Sequence, residues 1–368
     1  MELPRSSTTC VPIVAIILSA CVGSGSASDR ADDPGSAAAR VEIVANDAER
    51  RVDILVDGSL FTAYIYPTTI KKPVLYPLRT SSGNDVTRGF PLDPRPGERE
   101  DHPHQIGLWF NYGNVNGLDF WNNSDAVPPE NAPRMGTVSH REVRGMESGL
   151  GRGALEVSMD WVDHEGAVLL REETRFVFHA GPELRAVDRI TTLTALDQPI
   201  SLTDNKEGVL GLRVARGLEQ PAERPELSVD SAGRITLDPG SESDGVTGWY
   251  RSSEGHEGDA VWGTRGRWTM LSGVVEGEPV TVAILDHPDN VGFPTYWHAR
   301  GYGLFAANPL GQRELSGGRD VLDYELEAEQ STTFRHRILI LSGPVSPEQI
   351  DAQYHAFAEG EAVLVTAQ

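Results

Sequence analysis

From residue 40 onward the hydrophobic side chains of this 368-residue chain fall at every second position in short runs, with turn residues between the runs. Val41 and Ile43, and then Val52, Ile54 and Val56, alternate with polar neighbours, the spacing of a strand that buries one face. Asp57-Gly58 is a hairpin signal leading into a run over residues 60–66, and another short strand is expected over 74–78. Leu155, Val157, Met159 and Trp161 share one face of a strand that turns at Asp163-His164-Glu165-Gly166 and returns over 168–179. Further strands are expected over 185–195, 200–203, 209–214, 268–275, 280–285, 304–307 and 333–341, the pair 268–285 being a hairpin about Glu276-Gly277-Glu278. Only one stretch has a helical period. Ser346 as N-cap, Pro347 after it and Gln349 three on make a capping box, Ile350, Tyr354 and Phe357 share a face, and Gly360 stops the helix. The pattern predicts an all-β fold, an antiparallel sandwich or barrel with one C-terminal helix.

The ends of the chain read differently. Arg5 precedes an apolar run over residues 11–18 that is too short for a permanent span, so residues 1–20 read as a signal peptide. Leu18-Ser19-Ala20-Cys21 resembles the bacterial lipobox, which implies cleavage before Cys21 and lipid attachment to it. Val22 after that cysteine, rather than Asp, points by the same resemblance to an exported lipoprotein at the outer membrane or facing the periplasm. Residues 21–39, rich in Gly, Ser, Ala and Asp, read as a tether, and residues 40–368 as a single domain. Residues 219–259 are rich in Pro, Gly, Ser and Glu and read as an excursion from the sheet, with short strands expected within 227–237.

Thirty-eight glycines and 24 prolines suit many turns. A formal net charge of -22 argues against nucleic acid and against an electrostatic hold on anionic lipid, leaving the lipid anchor as the expected membrane contact. The two cysteines, Cys10 and Cys21, both precede the domain, so disulfides, thiolate metal sites and cysteine nucleophiles are excluded from it.

The chemistry concentrates in residues 101–121, DHPHQIGLWFNYGNVNGLDFW. If Asp101 to His104 is extended, His102 and His104 point to one face and can grip a metal or a polyhydroxylated ligand. Asp286-His287-Pro288 repeats Asp101-His102-Pro103 downstream and is followed by Tyr296-Trp297-His298-Ala299-Arg300. Taken with Lys206-Glu207-Gly208, residues 211–214, Val261-Trp262-Gly263 and YGLFAANPLG at 302–311, these segments resemble the PmoA-like family of bacterial proteins, named after a methane monooxygenase subunit. The resemblance covers most of residues 41–341 and implies a large β-sandwich similar to the sugar mutarotase type, in an envelope protein of glycan-degrading bacteria. Gln105 and Asn114 stand where that pattern often has His and Asp, which weakens a metal site that needs them. Methane oxidation is not expected, because no apolar run after Cys21 approaches the ~20 residues of a spanning helix.

His102, His104, Glu207, His287 and His298 are the candidate catalytic residues, converging on one pocket. Asp101, Asn116, Arg213, Arg300 and Asn308 are candidate hydroxyl partners, and Trp109, Trp121 and Trp297 candidate stacking surfaces, for a sugar or other small polar ligand. Glu207 reads equally as an ion-pair partner of Arg213. The expected function is a carbohydrate-active epimerase, lyase or hydrolase. The alternatives are a non-catalytic glycan-binding or scaffold lipoprotein and a metal-dependent oxidoreductase, the histidines then holding a divalent metal. A serine hydrolase is unlike this chain, which has no G-x-S-x-G elbow.

Overall fold

The structure is a computed structural model describing residues 38–221, 227–229, 235–237 and 245–360. The signal peptide, Cys21 and nearly all of the tether lie outside the described residues.

Two antiparallel sheets face each other. The nine-stranded sheet runs, edge to edge, Tyr296–Arg300, Leu304–Asn308, Leu210–Arg213, Leu108–Phe110, Val74–Leu75, Ser59–Ile65, Arg51–Val56, Arg40–Asn46 and Gly149–Leu150. The eight-stranded sheet runs Trp249–Ser252, Trp268–Val275, Glu278–Asp286, Ser331–Ser342, Leu184–Ala195, Val168–Ala180, Arg152–Val162 and Thr137–Glu147. Alternation decides which side chains fill the space between them. Leu108, Phe110, Leu210, Leu212, Trp297 and Phe305 from the first sheet meet Trp161, Phe176, Phe178, Ile284, Phe334 and Ile338 from the second in one buried core. This is the large antiparallel β-sandwich that the alternating pattern and the family resemblance imply.

The helix Pro347–Ala358 forms as its sequence requires, with Ser346 and Gln349 closing the capping box. Ile350, Tyr354 and Phe357 pack on Trp268, Met270, Leu285 and Leu339, which face outward from the eight-stranded sheet. A second, four-residue helix spans Gln312–Leu315. Within the region read as an excursion, Leu227–Val229 pairs with Ile235–Leu237, but Trp249–Ser252 rejoins the main body as an edge strand paired with Trp268–Val275. The excursion is therefore shorter than its composition suggests.

The outward side of the nine-stranded sheet carries several of the candidate residues. Across its strands His298 lies beside Ala306, Ala306 beside Gly211, and Gly211 beside Trp109. A Cβ added at Gly211 would sit 2.3 Å from the Trp109 ring, so the indole packs directly against the bare backbone. Trp109 in turn packs on Trp121 at 5.0 Å between ring centroids. Gly211→Val is expected to lose about 1–3 kcal/mol through overpacking, read from the urea unfolding midpoint.

Candidate functional site

The site is assembled by guanidinium groups. Arg88, 1% exposed, donates to the carbonyls of Arg99, Asp101, His102 and Gln105 at 2.9–3.2 Å and to Asp101 Oδ1 at 2.7 Å. These bonds wrap residues 99–105 around one side chain, and the segment is a turn rather than the extended strand expected, with His102 in the left-handed region at φ 43°. Arg213, fully buried on the outward side of its strand, donates to Asp101 Oδ1 at 2.6 Å and Gln105 Oε1 at 2.5 Å and lies over the Tyr302 ring at 4.8 Å. Burial alone would raise the Asp101 carboxyl, but the His102 hydrogen bond and the charges of Arg213 and Arg88 hold it well below the usual carboxylate range.

Asp101 also orients the imidazole. Its Oδ2 is 3.1 Å from His102 Nδ1, so an ionised Asp101 accepts the Nδ1–H and leaves Nε2 with its lone pair. The His102 ring stacks on Tyr302 at 5.2 Å with 3° between planes, and its side chain is 42% exposed. His104 is its neighbour, edge to face at 5.7 Å, but is buried. Burial, then the charges of Lys72 and His102, push its pKa down to about 2.

Facing this group is the loop with Lys206 and Glu207. Asn308, fully buried, holds that loop by donating to the Asn205 carbonyl and accepting from the Leu310 and Gly311 amides. Glu207 lies 3.9 Å from His298 Nδ1 and 3.7 Å from Lys206 Nζ. Burial raises its carboxyl, against the pull of Lys206. His298 Nδ1 donates to the Lys206 carbonyl at 3.2 Å, and burial, then Arg300, lower its pKa to about 4. In its protonated form His102 would act on both Glu207 and His298, which puts the three within electrostatic reach of one another. Since its folded pKa lies below the unfolded value, His298 contributes stability that is present above about pH 6.5 and lost as pH falls towards about 4. His298→Gln is expected to flatten that part of the profile of urea midpoint against pH, relative to the unmodified protein.

Several sequence expectations are corrected by placement. His287 is not brought to this group: it follows a strand of the other sheet, packs on Phe357 of the C-terminal helix at 5.1 Å, and accepts from the Asp289 amide. Its neighbour Asp286, fully buried, fixes Asn290 and the Thr295 amide, and burial raises its pKa to about 7. Trp109, Trp121 and Trp297 are all fully buried and offer no stacking surface; Trp297 points into the core because His298, the next residue, points out. Asn116 bridges to Pro199 and Ser201. Asp101, Arg213 and Asn308 are spent on framework bonds, whereas Arg300 is exposed, 5.7 Å from the Tyr302 ring. Glu207 does not pair with Arg213. Among the described residues no three His, Cys, Asp or Glu side chains are grouped to hold a metal ion, so a divalent metal finds no ready ligand set here.

Sequence reasoning misses Arg88 and Lys72 as site residues and meets Lys206 and Tyr302 only inside the motifs at 206–208 and 302–311. Arg88 sits in a polar loop without a motif, and Lys72 reads as part of a turn before Pro73.

Curated proteins returned no match. Solved structures similar to the chain include the galactosidase domain of an α-galactosidase–sucrose kinase, at 9% identity and TM-score 0.39. That likeness covers 82% of this chain and 42% of the other, so the chain spans about two fifths of that protein. A galactose mutarotase-like protein from Clostridium acetobutylicum is 9% identical with TM-score 0.36, covering 83% of this chain and 99% of that one. A galactose mutarotase related enzyme from Lactobacillus acidophilus is 9% identical with TM-score 0.30, covering 83% and 98%. The profile of a family of unknown function matches residues 51–355 and carries no link to PmoA by name. Matched from its second strand to within the C-terminal helix, the chain belongs to that family, DUF6807.

Proposed function

We propose that this chain binds a sugar over the outward side of the nine-stranded sheet and moves a proton on it, as an epimerase or lyase. One observation carries the reading: an exposed imidazole, His102, is oriented by an ionised carboxylate and lies within electrostatic reach of a raised carboxyl, Glu207, which sits beside the buried His298. His102 Nε2 takes a proton from a sugar carbon or hydroxyl, and the Glu207 carboxyl returns one elsewhere on the same molecule. The surrounding Lys206 ammonium and Arg300 guanidinium are donors for hydroxyl oxygens, and the Tyr302 edge supplies apolar surface. Glycoside hydrolysis usually employs two carboxyl groups, and Asp101 is taken up by two guanidinium groups.

The test is incubation with reducing sugars and uronate-containing glycosides in heavy water, followed by NMR. Deuterium at a sugar carbon, accelerated anomer conversion or an elimination product supports the reading. Sugar binding without any of these overturns catalysis and leaves the glycan-binding alternative.

We also propose export and anchoring through a lipid on Cys21, the PmoA-like resemblance lending it an envelope setting. Cys21→Ala is expected to abolish labelling by a palmitate analogue and to shift the protein from the membrane to the soluble fraction. Unchanged labelling would sink the proposal.

A further inference from the structure

Behind His104 lies a cavity of about 210 Å³ lined by Ile70, Lys72, Leu92, His104, Ile106 and Ser124, among others. Lys72 is 2% exposed and makes no ion pair among the described residues; its one hydrogen bond is a long one, 3.4 Å to the Trp121 carbonyl. Asp119 attracts it only from beyond ion-pair distance. Asp125, also at the cavity, is already held by Lys71 at 2.5 Å. His104 is 9% exposed, and its Nε2 has no hydrogen-bond partner among the described residues. Burial pushes the Lys72 amine down to about 7, its ammonium form having the Trp109 ring at 5.6 Å but no counter-charge, and a buried ring nitrogen without a partner is likewise costly. One anion would relieve both, with Lys72 as the charge and a protonated His104 Nε2 as a donor.

The apolar walls narrow the anion to one carried on carbon. We propose that the cavity is a carboxylate subsite built from Lys72 and His104, so that the sugar handled beside it is a sugar acid. The second part rests on the functional reading above, because His104 touches His102; the first part does not.

Acetate, D-glucuronate and D-glucose serve as probes of the full chain. Titration with acetate is expected to move the ¹⁵N signal of His104 Nε2, at constant ionic strength against chloride. Calorimetry is expected to show D-glucuronate bound about tenfold or more tighter than D-glucose. Lys72→Met, which keeps the aliphatic stem, is expected to erase that preference and leave D-glucose affinity unchanged. A His104 signal that ignores acetate overturns the subsite, and this needs no variant to fold. An acetate response without binding of either sugar upholds the subsite and overturns the sugar reading. A glucuronate preference that survives in Lys72→Met overturns the assignment to Lys72.

Discussion

Turnover of the cognate sugar is expected to fall about 10²–10⁴-fold in His102→Ala, the range over which a positioned acid or base accelerates proton transfer. The ring is 42% exposed and its contacts are one hydrogen bond to Asp101, stacking on Tyr302 and an edge-to-face contact with His104, so its loss is expected to leave the fold in place. The decrease should appear in kcat, with KM changed little, because Lys206, Arg300 and Glu207 still meet the hydroxyls. Near-UV circular dichroism and the urea midpoint of the variant check that the protein is intact. If His102→Ala turns over within a few-fold of the unmodified chain, His102 is not the base. A pure binding protein would show instead a change of affinity and no turnover in either form.

Arg88→Met is expected to be the most damaging single change, lowering stability by about 3–5 kcal/mol. Methionine approximates the stem, so the loss isolates the guanidinium, whose hydrogen bonds reach four carbonyls and one carboxylate. Removing it strands buried acceptors and leaves Asp101 with one guanidinium partner, Arg213, beside His102. Arg88→Lys should rescue little, since a point charge does not reproduce a planar fork that reaches carbonyls in several directions. Urea unfolding measures the loss. An unchanged midpoint for Arg88→Met would show that the turn at residues 99–105 holds itself and would remove the basis for treating Arg88 as its support.

The strands were legible in the sequence because one face of most of them is buried, which forces the two-residue period of Val52, Ile54 and Val56 or of Leu155, Val157, Met159 and Trp161. The helix was legible for a separate reason, its local capping chemistry. The site was legible in part. His102, Glu207 and His298 could be picked out as titratable residues in unusual company, but whether a side chain is spent on the framework depends on partners far along the chain. Asp101 bonds to Arg213 across 112 positions, and nothing local to either residue announces it. The tryptophans mislead for a related reason: composition marks them as suited to sugars, whereas strand parity turns Trp297 inward as it turns His298 outward, and Trp109 and Trp121 bury each other on the outward side. The repeated Asp-His-Pro misleads because three residues do not carry their tertiary setting with them; the second copy ends a strand of the opposite sheet.

The left-handed backbone at His102 has a consequence for how this chain can change over time. Any side chain costs something at φ 43°, where glycine sits freely, although histidine, like asparagine and aspartate, is among the residues found there more often. Random substitution at this one position that favours robustness would therefore discard the ring, so retaining histidine there works against thermal resilience. Position 102 is where a lineage with no use for that imidazole would be expected to drift first, towards Gly, gaining stability as it loses the ring.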